Sequence, residues 1–222
     1  GTPLTLTGRA GQPAGGELSV TLDGRWGGDR LRARGRVGEQ WNLDGSVSVA
    51  SLSRWYGPAA GNLNADWQLR GALKTPRLSG NARGQNLGYG EWRLASLEAR
   101  FQNLSTGDGP MSLTLQGQTL GQAGVTRVDA LSLDLQGSRQ DHRLVVTAAA
   151  GDADTRLALN AGLDAAQRWR GEIRQWRLSE PRAGVWELRQ PAPFELSADR
   201  QSLESLCLAG DAGGSLCLAG SH

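Results

Sequence analysis

The sequence predicts an all-β fold: a long, twisted sheet with very little helix and one strongly apolar face. Three observations carry the prediction. Apolar and polar residues alternate at period two from Leu4 to Leu218. Successive strand side chains point to opposite faces, so each such run has one wet side and one apolar side. Glycine makes up 32 of 222 residues, about twice ordinary usage, with no three-residue period; this points to many turns and bulges rather than to collagen. No amphipathic stretch is long enough to form a helix that covers a sheet face.

The elements follow in order. Gly1 to Thr7 reads as the start of a strand. Leu18, Val20 and Leu22 alternate with Ser19, Thr21 and Asp23. Trp41, Leu43, Gly45, Val47 and Val49 form the next run, then Leu63, Ala65, Trp67 and Leu69. The pattern returns at Met111, Leu113 and Leu115, at Leu131, Leu133 and Leu135, at Leu144 and Val146, and at Leu157, Leu159 and Ala161. Phe194 and Leu196, Leu206 and Leu208, and Leu216 and Leu218 complete it. Turns are expected at Gly27-Gly28-Asp29, Gly107 to Pro110, Gly121 to Gly124, Gly151-Asp152 and Asp211 to Gly214. Leu52 to Tyr56 and Asp164 to Arg168 are candidate short helical turns. Pro76, Pro181, Pro191 and Pro193 belong at strand ends or edges. No internal boundary interrupts the pattern, so residues 1–222 read as one continuous segment. Its apolar face must be buried against another sheet, against itself, or against a ligand.

The same residues exclude several function classes. The formal charge is +2, from 24 basic and 22 acidic residues without a long run of one sign, so no nucleic-acid groove is expected. No apolar run approaches the roughly 20 residues that span a bilayer, and no signal peptide is visible. The segment therefore reads as part of a longer protein whose targeting and anchoring parts lie elsewhere. A Ser–His–carboxylate triad would have to use His142, which lies in the polar stretch Ser138-Arg139-Gln140-Asp141-His142-Arg143 and reads as a solvated turn residue. His and Cys form no ligand cluster, so neither a metal nor a cofactor is expected. Asp44, Asp66 and Asp134 fall on the wet sides of strands, where solvated charge is the default. The chain is expected not to be an enzyme.

Of the aromatic residues, 8 are Trp against 2 Tyr and 2 Phe. They fill a loosely packed β core, or stand at the rim of an apolar channel with the indole N–H outward. Leu206-Cys207-Leu208 and Leu216-Cys217-Leu218 flank a glycine-rich turn and read as a hairpin. If Cys207 faces Cys217, Leu206 faces Leu218 and Leu208 faces Leu216, with the leucines on one face and the cysteines on the other. Opposed strand residues lie within disulfide reach. The pair reads as a disulfide, with two free thiols as the alternative; a disulfide implies an oxidising compartment.

The chain resembles the TamB family. The resemblance rests on Trp169-Arg170-Gly171-Glu172-Ile173, Trp186 to Ala192, and the Leu-Cys-Leu hairpin. It rests also on the stretch Gly137 to Leu144 and on the unit Leu69 to Gly80, which resembles a recurring L-x-G-x-L-x-x-P-x-L-x-G motif. The family implies a sheet curled into an open β-groove, a β-taco, with an apolar interior. It implies a periplasmic location in a Gram-negative bacterium, with the full-length protein anchored in the inner membrane. It also implies relationship to AsmA-like bridge proteins, phospholipid acyl chains as cargo, and an Omp85-type, TamA-like outer-membrane barrel as partner. The segment is expected in the interior or carboxyl half of such a protein, short of the terminal partner-binding domain.

Leu63, Trp67, Leu69, Leu113, Leu115, Leu131, Leu133, Leu135, Leu144, Val146, Leu157 and Leu159 are the expected groove lining. Each CH₂ kept from water is worth about 0.8 kcal/mol, so a 16-carbon chain left in water costs on the order of 10 kcal/mol. A continuous, unspecific apolar lining removes most of that cost. Three rival readings exist: a closed sandwich core at these positions, a scaffold that assembles outer-membrane proteins by strand templating, and a carbohydrate-active β-helix.

Overall fold

In the computed structural model, residues 4–11 and 17–221 are described. The strand start expected at Gly1-Thr2-Pro3 and the terminal His222 lie outside them. Sixteen strands account for well over half of the described residues, and one short 3₁₀ turn, Leu52–Arg54, is the sole helical element among them. The chain forms two compact units, Gly1–Gly107 with Leu115–Arg127, and Asp108–Thr114 with Val128–His222.

The first unit contains β1 (Leu4–Gly11), β2 (Leu18–Trp26), β3 (Asp29–Val37), β4 (Gln40–Val49), β5 (Ala59–Ala72), β6 (Arg77–Tyr89) and β7 (Trp92–Ser105). These pair antiparallel in chain order. A strand β8 (Met111–Gln122) contributes its first residues to the second unit and the rest to the first. The expected turns at 107–110, 151–152 and 211–214 join strands; those expected at 27–29 and 121–124 narrow to 27–28 and 123–124, with Asp29, Gly121 and Gln122 in strands.

Register carries the apolar parity from strand to strand. Leu22 faces Ala33, Ala33 faces Gly45, Gly45 faces Trp67, Trp67 faces Gly80, and Gly80 faces Phe101. Each large residue in this row therefore faces only small ones. The reason is steric: a Cβ on Gly45 would collide with the Trp67 ring, so the indole lies flat on the backbone that glycine leaves bare.

The second unit holds the remaining strands: β9 (Val125–Gly137) from Val128 onward, β10 (His142–Ala150), β11 (Ala153–Leu163), β12 (Trp169–Glu180), β13 (Gly184–Leu188), β14 (Ala192–Leu196), β15 (Gln201–Gly210) and β16 (Ser215–Ser221). β13 and β14 lie end to end between β12 and β15 as two halves of one interrupted strand. The carboxyl half of β12 pairs with β13 and its amino half with β14, and β15 divides in the same way. Pro191 falls in the interruption, where a strand can lack a donor. Pro193 sits inside β14, opposite Glu172 of β12 and ahead of the stretch that pairs with β15. The best-buried cluster is here: Ala192, Leu206 and Leu208, packed against Ile173, Trp176, Trp186, Leu188 and Leu203.

The Cys207–Cys217 disulfide is present, with Leu206 facing Leu218 and Leu208 facing Leu216, the register expected from the hairpin. The leucines of β15 are buried while those of β16 are half exposed.

Candidate functional site

The expected lining residues of the second unit share one face. Leu135 faces Leu144 and Leu133 faces Val146; Leu144 in turn faces Leu159, and Val146 faces Leu157. Leu131 continues the row opposite Ala148. The Thr114 hydroxyl donates to Asp134 on the polar side, which puts Leu113 on the apolar side. Leu115 has the same parity on β8 but belongs to the first unit. In the first unit Leu63, Trp67 and Leu69 share a face with Val49, Gly45 and Leu43. Most of these side chains are only partly buried.

The apolar face of the second unit deepens into a cleft of ≈ 590 Å³, bordered by Leu159, Trp169, Ile173, Phe194, Leu196, Leu203 and Gly220. Among the described residues, Gln201, Ser202 and Ser221 supply its polar side chains beside the Trp169 indole, and none of the lining residues is charged. Of the expected lining, only Leu159 reaches this cleft. Phe194 and Leu196 come from an expected alternating run, while on β12 the alternation is broken by a bulge: Leu159 faces Ile173 while Ala158 faces Gln175, leaving Arg174 unpaired. The extra residue reverses parity along the strand. Trp169, Gly171 and Ile173 before it and Trp176 and Leu178 after it thus lie on one face.

His142 is not the solvated turn residue expected. It is 8% exposed and stands on the apolar side, in register with Gly137 and Ala161. Its parity with Leu144 and Val146 was the available signal. The Trp169 indole N–H donates to Nε2 at 2.9 Å, and Nδ1 lies 3.1 Å from the Ser138 carbonyl oxygen. A carbonyl only accepts, so Nδ1 carries the proton and the ring is neutral. Trp169 in turn packs against Phe194 with ring centroids 4.9 Å apart. The indole N–H groups of Trp41, Trp55, Trp169, Trp176 and Trp186 find protein acceptors.

In the first unit a second cleft of ≈ 660 Å³ crosses β2 to β6. On each strand it is bordered by two polar-face residues and the one between them, among them Asp23, Arg32, Arg34, Asp44 and Asp66. Asp23 pairs with Arg25 and Arg32. Beside the 3₁₀ turn, Asp29 is 3% exposed and accepts from the Ala50 N–H at 2.7 Å and the Trp55 indole at 2.9 Å. This latch seats Trp55 edge-on against Trp26. In the second unit, the Arg168 backbone N–H bond is the main cause holding the Asp164 carboxyl below its ordinary range, helped by the Arg168 side chain and the Ala166 N–H. Among the described residues no group of His, Cys, Asp and Glu converges as a metal site, and no helix is long and apolar enough to cross a membrane.

A chain of alternating strands with a disulfide hairpin and an uncharged apolar cleft has a clear relative. The family model described as "TamB, N-terminal domain" matches residues 1–221. The chain belongs to the TamB family. The "Translocation and assembly module subunit TamB" of Haemophilus influenzae is 24% identical over 207 residues, covering 91% of this chain and 16% of that protein. This TamB-family chain thus spans about a sixth of that relative's length. The matched family model is that of an N-terminal domain, which differs from the interior or carboxyl-half position expected from the resemblance. No solved structure matches.

Proposed function

We propose that this chain is a periplasmic β-groove segment of a TamB-like protein that carries phospholipid acyl chains between the inner and outer membranes and so supports outer-membrane biogenesis. The observation that carries the reading is the uncharged cleft of ≈ 590 Å³ on the apolar face of the second unit. An acyl chain gains about 0.8 kcal/mol for each CH₂ taken from water, and a lining of Leu, Ile, Phe and Trp offers that gain without imposing a pose. The polar side chains of Gln201, Ser202 and Ser221 lie at its border, where a headgroup can remain hydrated. The disulfide agrees with an oxidising compartment such as the periplasm. In this reading the full-length protein is anchored in the inner membrane and hands its cargo toward an Omp85-type, TamA-like barrel. The chain itself performs no chemistry.

The test is photocrosslinking in cells. A photoreactive amino acid is placed at Leu159 or Phe194 of the full-length protein and the adducts are identified by mass spectrometry. Phospholipid adducts at these sites, absent when the same group replaces Ser132 on the opposite face, are the expected result. Polypeptide adducts in their place would support the strand-templating scaffold and overturn the lipid reading.

A further inference from the structure

Gln201, Ser202 and Ser221 supply polar side chains to the cleft; the further group at odds with a hydrocarbon ligand is the indole N–H of Trp169, which donates to His142. We infer that His142 is a positioning residue that fixes the Trp169 indole in the wall of the apolar cleft and masks its N–H, so that the indole presents only apolar surface to a hydrocarbon. The inference rests on the acyl-chain reading above for the identity of the ligand, but the positioning itself rests on geometry.

The chain of constraint begins in the turn before β10. The Ser138 N–H donates to the Asp141 carbonyl at 2.6 Å, and the Asp141 N–H donates to the Ser138 hydroxyl at 3.1 Å. The Leu163 N–H ties the same turn to β11 through the Arg139 carbonyl at 2.9 Å. The Ser138 carbonyl is thereby aimed at Nδ1 of His142. That contact selects the neutral tautomer with a lone pair on Nε2. Trp169 donates its single proton to this lone pair. The two rings lie nearly parallel, at 10°, and Phe194 is the indole's other aromatic neighbour.

Removing the acceptor changes the wall in one of two ways. The indole keeps its place with a buried N–H unsatisfied, or it turns to bring the N–H to water and leaves the cleft misshapen. An unsatisfied buried donor is costly, and either outcome weakens the cleft for a hydrocarbon. A glutamine at 142 carries an acceptor oxygen and restores the bond, whereas a leucine does not.

The experiment uses this chain and its His142→Leu, His142→Gln and Trp169→Phe variants, with dansyl-undecanoic acid as the fluorescent probe. Hydrogen exchange of the Trp169 indole proton is followed by NMR. The proton should be protected in the parent and in His142→Gln and should exchange freely in His142→Leu. Probe affinity should fall about ten-fold in His142→Leu, hold within about two-fold in His142→Gln, and be indifferent to His142→Leu once Trp169 is phenylalanine. Equal protection in His142→Leu, or an equal loss of affinity in the Trp169→Phe background, overturns the inference; the second result would make His142 a packing residue only. A parent chain that does not bind the probe overturns the acyl-chain reading, while the exchange measurement still decides the positioning role.

Discussion

Substituting Leu133 by Asp separates an open apolar face from a closed core. Leu133 lies in the middle of β9 opposite Val146, and it is half-buried. A fully buried Leu is worth about 1.5–3 kcal/mol, so a half-buried one contributes about 1 kcal/mol. On an open face the new carboxylate keeps most of its water, and about 1 kcal/mol more covers its partial desolvation. The expected loss is then about 2 kcal/mol, which lowers Tm by about 4–8 °C for a chain of this size. In a sealed core the same charge would be left unpaired at a cost of several kcal/mol, enough to unfold the unit. One residue earlier, Ser132 projects from the opposite face and shares a 2.6 Å hydrogen bond with Thr147. Ser132→Asp retains an acceptor for Thr147 and should stay within about 0.5 kcal/mol of the parent. The assay pairs thermal unfolding of the isolated chain with complementation by the full-length protein. Leu133→Asp should fold, melt lower and fail to complement; Ser132→Asp should pass both tests. A Leu133→Asp chain that is unfolded refutes the open face. One that folds and complements fully refutes the apolar path at this position.

Further expectations concern the structure that supports that face. Replacing both Cys207 and Cys217 by Ser removes a loop closure between residues 10 apart and should cost about 2–3 kcal/mol; non-reducing peptide mapping of the parent should recover the linked pair. Asp29→Ala leaves the Ala50 N–H and the Trp55 indole without their acceptor. It should cost about 2–3 kcal/mol and erase the near-ultraviolet signal of the Trp26–Trp55 pair, with Asn at the same position losing less. The depressed Asp164 carboxyl stabilises the turn at neutral pH, and that contribution disappears as pH falls through its lowered folded value. Asp164→Asn should remove this part of the acid dependence of melting.

Local chemistry in the sequence determined a large part of this protein. Alternation at period two is a direct image of strand geometry. The runs from Leu18 to Leu218 therefore announced strands and also which residues share a face, as Leu133, Val146 and Leu157 do. The Cys207–Cys217 pairing was legible for the same reason: a hairpin about a glycine-rich turn fixes its own register. The residues that build the cleft were a different matter. Arg174, the bulged residue, reverses the parity of β12, so Ile173 and Trp176 meet on one side although their spacing in sequence puts them on opposite sides. Pro191 and its neighbours break one strand into β13 and β14, and only the pairing of both halves with β12 and β15 reveals it. His142 reads as polar by composition and as buried by parity. The 2.9 Å bond from Trp169, 27 residues away, decides between the two, because a buried imidazole is tolerated only where both nitrogens find partners. Period and turn chemistry act between neighbours in the chain. Bulges, interrupted strands and a shared proton depend on which distant backbone lies alongside, and the tertiary structure alone decides that.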